Sequence, residues 1–123
     1  FIMFLINCEV YPFDIMVFFG RDRAKLYKFL SKTISKESLS NYKSLEFKKG
    51  MASMFSGGQT VLWLYQKPQS VEDLSALNHA IFHCVCLILE RVGIPLDNSS
   101  EEAYAYFIQF LTLKIYNELN ITF

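Results

Sequence analysis

The stretch Ser70-Val71-Glu72-Asp73-Leu74-Ser75-Ala76-Leu77-Asn78-His79-Ala80-Ile81-Phe82-His83 decides how the rest of the chain is read. Ser70 is placed to cap a helix, with Asp73 at the third helical position, where its amide can meet the serine hydroxyl. The helix is expected to run to about Val92 and stop at Gly93, with Pro95 beyond it. A loop follows, and a last helix is expected over residues 100–119. Its apolar residues Tyr104, Phe107, Ile108, Leu111, Ile115 and Leu119 point to a central position in the fold.

The first of these helices carries His79 and His83. Positions i and i+4 share one helical face, with Cβ atoms roughly 5–6 Å apart. Two imidazoles so placed can grip one metal ion. Eighteen residues after His83 stands the run Glu102-Ala103-Tyr104-Ala105. A carboxylate from this second helix would complete a three-ligand zinc site with an open fourth position, as catalytic zinc requires. The short loop over residues 93–99 allows the helices to pack antiparallel, and Ala103 and Ala105 permit close approach. Glu101 competes with Glu102 for the ligand role, and either also suits the first turn of a helix electrostatically. Cys86 gives a rival His-His-Cys set on the same helix.

His79-x-x-x-His83, the eighteen-residue gap and Glu102-Ala103-Tyr104-Ala105 resemble the gluzincin-type zincin metallopeptidases, over residues 70–119. The resemblance implies a minimal single-domain zincin of the kind found in bacterial and phage genomes. It implies His79, His83 and Glu102 as zinc ligands and a polypeptide substrate cleaved by metal-activated water. Where the H-E-x-x-H pattern places its general base, this chain has Ala80. A methyl group cannot accept the proton of zinc-bound water, and such groups contribute about 10²–10⁴-fold. The chain as written is therefore expected to be inactive or trace-active, as a variant with its base exchanged or as a natural pseudoenzyme. Tyr106, one turn beyond Glu102, is a candidate oxyanion stabiliser. A non-catalytic binding or assembly protein, for example a virion component, is the alternative from another functional class.

Outward from this pair, residues 1–9 and 13–19 read as strands rich in Phe, Ile and Val, buried on both faces, with Tyr11-Pro12 between them. Residues 21–34 read as an amphipathic helix through Leu26, Tyr27, Leu30 and Ile34. Residues 35–50 are polar and read as a loop. Gly57-Gly58 signals a two-residue hairpin between residues 51–56 and 59–66, and Lys67-Pro68 ends it. The outer edge of that hairpin could take an extended polypeptide by strand addition. The order strand, strand, helix, hairpin, helix, helix is α+β, a short sheet with a hairpin packed on three helices.

With 123 residues, the chain is expected to form one domain over 1–123, large enough for a real core. Hydrophobic residues at 52% and aromatics at 16% exclude disorder. Twelve basic and twelve acidic residues cancel, so net charge steers the chain neither to nucleic acid nor to an anionic membrane. A protein partner, an oligomer or a larger assembly suits the hydrophobic composition. Cys8, Cys84 and Cys86 lack framework spacing, which argues for a reducing compartment. Residues 1–6 are too short and uncharged for a signal peptide. No apolar run reaches the length of a membrane span. Cytoplasmic or virion-associated placement follows as an expectation.

Overall fold

A computed structural model describes residues 1–43 and 50–121. The fold is α+β. Its elements are β1 (Ile2–Asn7), β2 (Asp14–Phe19), α1 (Arg23–Leu30), α2 (Lys36–Lys43), β3 (Gly50–Met54), β4 (Thr60–Leu64), α3 (Val71–Arg91) and α4 (Glu101–Glu118). The strands form one mixed sheet in the order β1-β2-β4-β3, with β2 and β4 parallel and the two outer pairs antiparallel.

Strand side chains alternate between faces, and two cores follow from that. Ile15, Val17, Phe19, Leu62 and Leu64 point to the α3 side and meet Leu77, Ile81, Cys84 and Ile88. Phe18, Val61 and Trp63 point the other way and meet Leu26 and Leu30 of α1 and Leu39 and Tyr42 of α2. Helices thus cover both faces of the sheet. The central strands β2 and β4 are apolar throughout because each of their faces is a core. The Trp63 indole donates to the Gly20 carbonyl at 2.8 Å, which ties β4 to the end of β2.

The caps of α3 form as the residue types dictate. The Ser70 hydroxyl accepts from the Asp73 amide at 3.1 Å, and the Asp73 carboxylate accepts from the Gln69 amide at 2.9 Å. At the other end Gly93 has φ +86°, its amide bonds the Glu90 carbonyl, and the Ile94 amide bonds the Leu89 carbonyl. That paired closure needs a left-handed residue, which glycine adopts without steric cost. By length and composition α3 could also cross a membrane; Leu77, Ile81, Cys84, Val85, Ile88 and Leu89 are buried in the core beside the sheet, while Val71 and Phe82 are exposed.

Several expectations are corrected. Lys36–Lys43 is helix where a polar loop is expected; Leu39 and Tyr42 supply just enough apolar surface to dock it. The rest of that expected loop, residues 44–49, lies outside the described residues. Among the described residues there are consequently four helices where three are expected. β1 is an edge strand and not buried on both faces: Leu5 is 65% exposed. The β3–β4 turn is longer than two residues. The Phe55 amide bonds Gln59 O and the Gly58 amide bonds Phe55 O, with Gly58 at φ +92°. A Cβ at Gly58 would lie 2.3 Å from the Phe13 ring, so this turn and the β1–β2 connection share one close contact. Finally, α3 and not α4 is the central helix. α4 packs on it through Tyr104, Phe107, Leu111 and Ile115 and leaves its other side to solvent.

Candidate functional site

α3 crosses close over the edge strand β3, because the crossing residues are small. A Cβ at Gly50 would meet the Ala76 carbonyl at 3.6 Å, and Ala52 and Ala80 lie nearby. Beside this crossing runs a groove of about 290 Å³, lined by Gly50, Met51, Ala52, His79, His83 and Leu87, with Ala80 at its base. His79, His83 and Leu87 succeed one another at helical i+4 spacing and form its wall.

The two imidazoles do come together. Their Nε2 atoms are 3.0 Å apart and the ring centroids 4.7 Å. At that distance the two nitrogens can share a hydrogen bond, with the donor set by the tautomers. Both side chains are exposed.

The carboxylate does not join them. α3 continues eight residues past His83 before it ends, which carries the chain about 12 Å along the axis. α4 starts beside that far end, where the Tyr104 hydroxyl donates to the Ile94 carbonyl at 2.8 Å. Glu101 and Glu102 therefore sit exposed at the opposite end of the helix pair. The residue of α4 that reaches the histidine region is Tyr116, whose hydroxyl bonds the Asn78 side chain at 2.7 Å. Cys86 lies about two turns from His79 and is half-buried, with Glu90 and Tyr104 in its surroundings. Burial, and then the Glu90 carboxylate, hold its thiol above the ordinary value.

Among the described residues no group of three or more His, Cys, Asp or Glu side chains could hold a metal ion. The three-ligand centre of His79, His83 and Glu102, the His-His-Cys alternative, and with them the zincin resemblance, are therefore corrected. Two imidazoles supply half of the four ligands that tetrahedral zinc takes. The donor set does not fit a catalytic zinc, and no step is routed through one. α3 ends where the sequence places its stop, near Gly93; that end lies eight residues beyond His83, so the antiparallel α4 begins away from the histidines and the eighteen-residue spacing does not bring Glu102 to them.

Of the other two site candidates, one lies beneath the histidines as core and one on the far side of α4. Ala80 is 2% exposed and belongs to the core between α3 and the sheet, so its methyl is a packing choice where helix and strand approach. Tyr106 is 67% exposed on the outer face of α4, beside Val10 and Tyr11 of the β1–β2 connection.

A larger feature was not legible in the sequence. On the opposite face of the sheet a cleft of about 490 Å³ opens between the end of α1 and the β3–β4 turn. Met3, Leu5, Met16 and Val61 form its floor, with Phe29 and Lys32 at the helix side. It lies beside the edge strand β1, where Met3 packs against the α1–α2 core while Leu5 is left exposed. The exposed apolar Leu5 is its only trace in the sequence, and only once β1 is known to be an edge. No protein-family model, curated protein or solved structure matches this chain.

Proposed function

We propose that this chain is a non-catalytic polypeptide-binding module that takes an extended segment of a protein partner onto the outer edge of β3. One observation carries this reading: β3 ends the sheet on the side where the groove beside His79 and His83 runs. An edge strand presents backbone donors and acceptors to any chain that lies alongside, and natural edges are usually blunted with Lys or Pro. β3 reads Gly50-Met51-Ala52-Ser53-Met54 and has neither. All its residues are half-exposed, whereas β4 beside it is buried throughout. Main-chain pairing supplies affinity in strand addition, and pockets for alternate side chains supply selectivity. The groove offers apolar Met51 and Leu87 together with two imidazoles able to bond a carboxylate or carbonyl of the partner. A cytoplasmic or virion-associated setting belongs to the same proposal, supported by three free thiols.

The test is a panel of extended peptides with apolar and acidic side chains, followed by amide NMR. Binding is expected to shift the amides of Gly50–Met54 and the His79 and His83 rings. Methylating alternate backbone nitrogens of the best peptide should weaken it at least about tenfold in one register and leave the other register intact, since only every second amide pairs with the edge. Shifts centred away from β3, or binding indifferent to methylation in both registers, would defeat the proposal.

A further inference from the structure

Zero net charge conceals an uneven distribution. From Arg21 to Lys43, the segment that forms α1 and α2, the sequence has seven basic and two acidic residues. From Val71 to Glu118, which forms α3 and α4, it has two basic and seven acidic. The sheet separates these helix pairs, so one face of the molecule is basic and the opposite face acidic. Four of the basic side chains rest on aromatic rings of this face and keep their charge there. Arg21, Arg23, Lys25 and Lys32 lie over the rings of Tyr65, Trp63, Phe1 and Phe29, with centroid distances between 4.7 and 5.4 Å. The apolar cleft opens on this basic face, with Lys32 on its rim and Asp14 as the single acidic side chain of its lining.

The acidic face carries a matching stripe. Glu102, Tyr106, Gln109 and Leu113 succeed one another at i+4, i+3 and i+4 and so share one side of α4. That side points to solvent: Tyr106 is 67% and Leu113 60% exposed. An exposed apolar pair with Glu102 on the same stripe of the acidic face, and an apolar cleft set in the basic face with Lys32 on its rim, are complementary in shape class and in charge.

We infer that a second copy of this chain is the partner of the basic face: the Tyr106–Leu113 stripe of one molecule seats in the cleft beneath α1 of the next. The contact joins two different surfaces, so it is heterologous and grows into a ring or an open chain of molecules. A second copy is favoured over nucleic acid because it alone supplies both the apolar insert and the compensating negative face, at no cost in net charge. The contact uses faces of the sheet sandwich and leaves the β3 edge free, so it stands apart from the proposed peptide site.

Sedimentation velocity on the whole chain tests the inference. At about 20 mM salt the mass should rise with concentration beyond that of a dimer, and at about 0.5 M salt, where screening reaches only a few ångströms, it should return to that of the single chain. Leu113→Asp removes the insert at an exposed position and should weaken association about tenfold or more. The decisive experiment mixes two variants. Lys28→Glu with Lys32→Glu reverses the charge beside the cleft; Glu101→Lys with Glu102→Lys reverses it at the head of the stripe. Each alone should stay monomeric and an equimolar mixture should associate, with circular dichroism confirming that both are folded. A wild-type chain that is monomeric at low salt overturns the inference, as does a mixture that fails to associate. Association that persists in high salt assigns the contact to strand edges and also overturns it. So does a monomer that binds a foreign polyanion such as heparin through the basic face.

Discussion

Ala80 shows how one residue can be read in two opposite ways. Beside two histidines it looks like a missing base; in the fold it is the small residue that lets α3 approach β3. The readings predict different outcomes for Ala80→Glu. A vacant catalytic position would tolerate the carboxylate at little cost. A packed position must displace neighbours and desolvate a charge, and overpacking alone costs about 1–3 kcal/mol. We expect urea denaturation to show a loss of about 2 kcal/mol near pH 7. The sign of its pH dependence follows from burial, which raises the pKa of the introduced carboxyl above its unfolded value. The variant should be closest to wild type below the unfolded value and lose stability as pH rises through the raised one. An Ala80→Glu protein as stable as wild type at pH 8 would return position 80 to the groove surface. The same reasoning explains why the histidines were partly legible. Their i+4 spacing guaranteed a shared face, and Gly93 marked the end of α3, but the eight residues between His83 and that end place the start of α4 too far along the axis for Glu102 to arrive.

Elements were legible where their ends carry local chemistry. Ser70 with Asp73 and the glycine at 93 set both ends of α3, and the structure closes them with the hydrogen bonds those residues allow. α2 was not legible, because its six polar residues hide two apolar ones whose value appears only against Trp63 and Phe55 across space. The start of α4 was read at about Ser100, and it falls there; no side chain caps the helix, and the loop before it is held by its own hydrogen bonds. The Asp97 carboxylate accepts from the Ser99 amide at 2.8 Å, the Ser99 hydroxyl at 2.6 Å and the Ser100 amide at 3.1 Å, and the Ser100 hydroxyl donates to the Pro95 carbonyl at 2.5 Å. The Ser99 hydroxyl, followed by the backbone amides and Ser100, holds the Asp97 carboxyl below its ordinary value of 3.8. A depressed carboxyl contributes stability that is complete above its unfolded pKa and is lost as pH falls through the folded one. Asp97→Asn should therefore lower the melting temperature at pH 7 and converge with wild type as pH falls through the lowered value of the carboxyl. Equal differences at pH 7 and in acid would show that the loop is held by its serines and not by the charge.

At the scale of the molecule, the two cores share the central strands β2 and β4, whose alternate residues enter opposite layers. Loosening either core must disturb strands that the other requires, so the domain is expected to unfold as one unit. The thiols report on this directly. Cys84 on α3 and Cys8 beyond β1 are buried in the same core, and burial pushes both up to about 12, helped at Cys8 by Asp14 and at Cys84 by Cys8. Each is thus both shielded and protonated in the folded state, while Cys86 is only half-buried. The thiolate is the reacting form, so Cys8 and Cys84 should be labelled only when the core opens. Raised thiol values also mean that this stability is complete below about pH 9 and is lost as pH climbs toward 12. With a thiol-reactive dye at pH 8, Cys86 should react first. Labelling of Cys8 and Cys84 should follow together, with a urea dependence matching that of Trp63 fluorescence on the far side of the sheet. Trp63 is the one tryptophan in the chain, so the two signals watch opposite cores without overlap. If Cys84 is labelled at urea concentrations where the Trp63 signal is still native, the α3–α4 layer opens on its own. The sheet would then be the stable unit, and α4, which packs chiefly on α3, the part that leaves first.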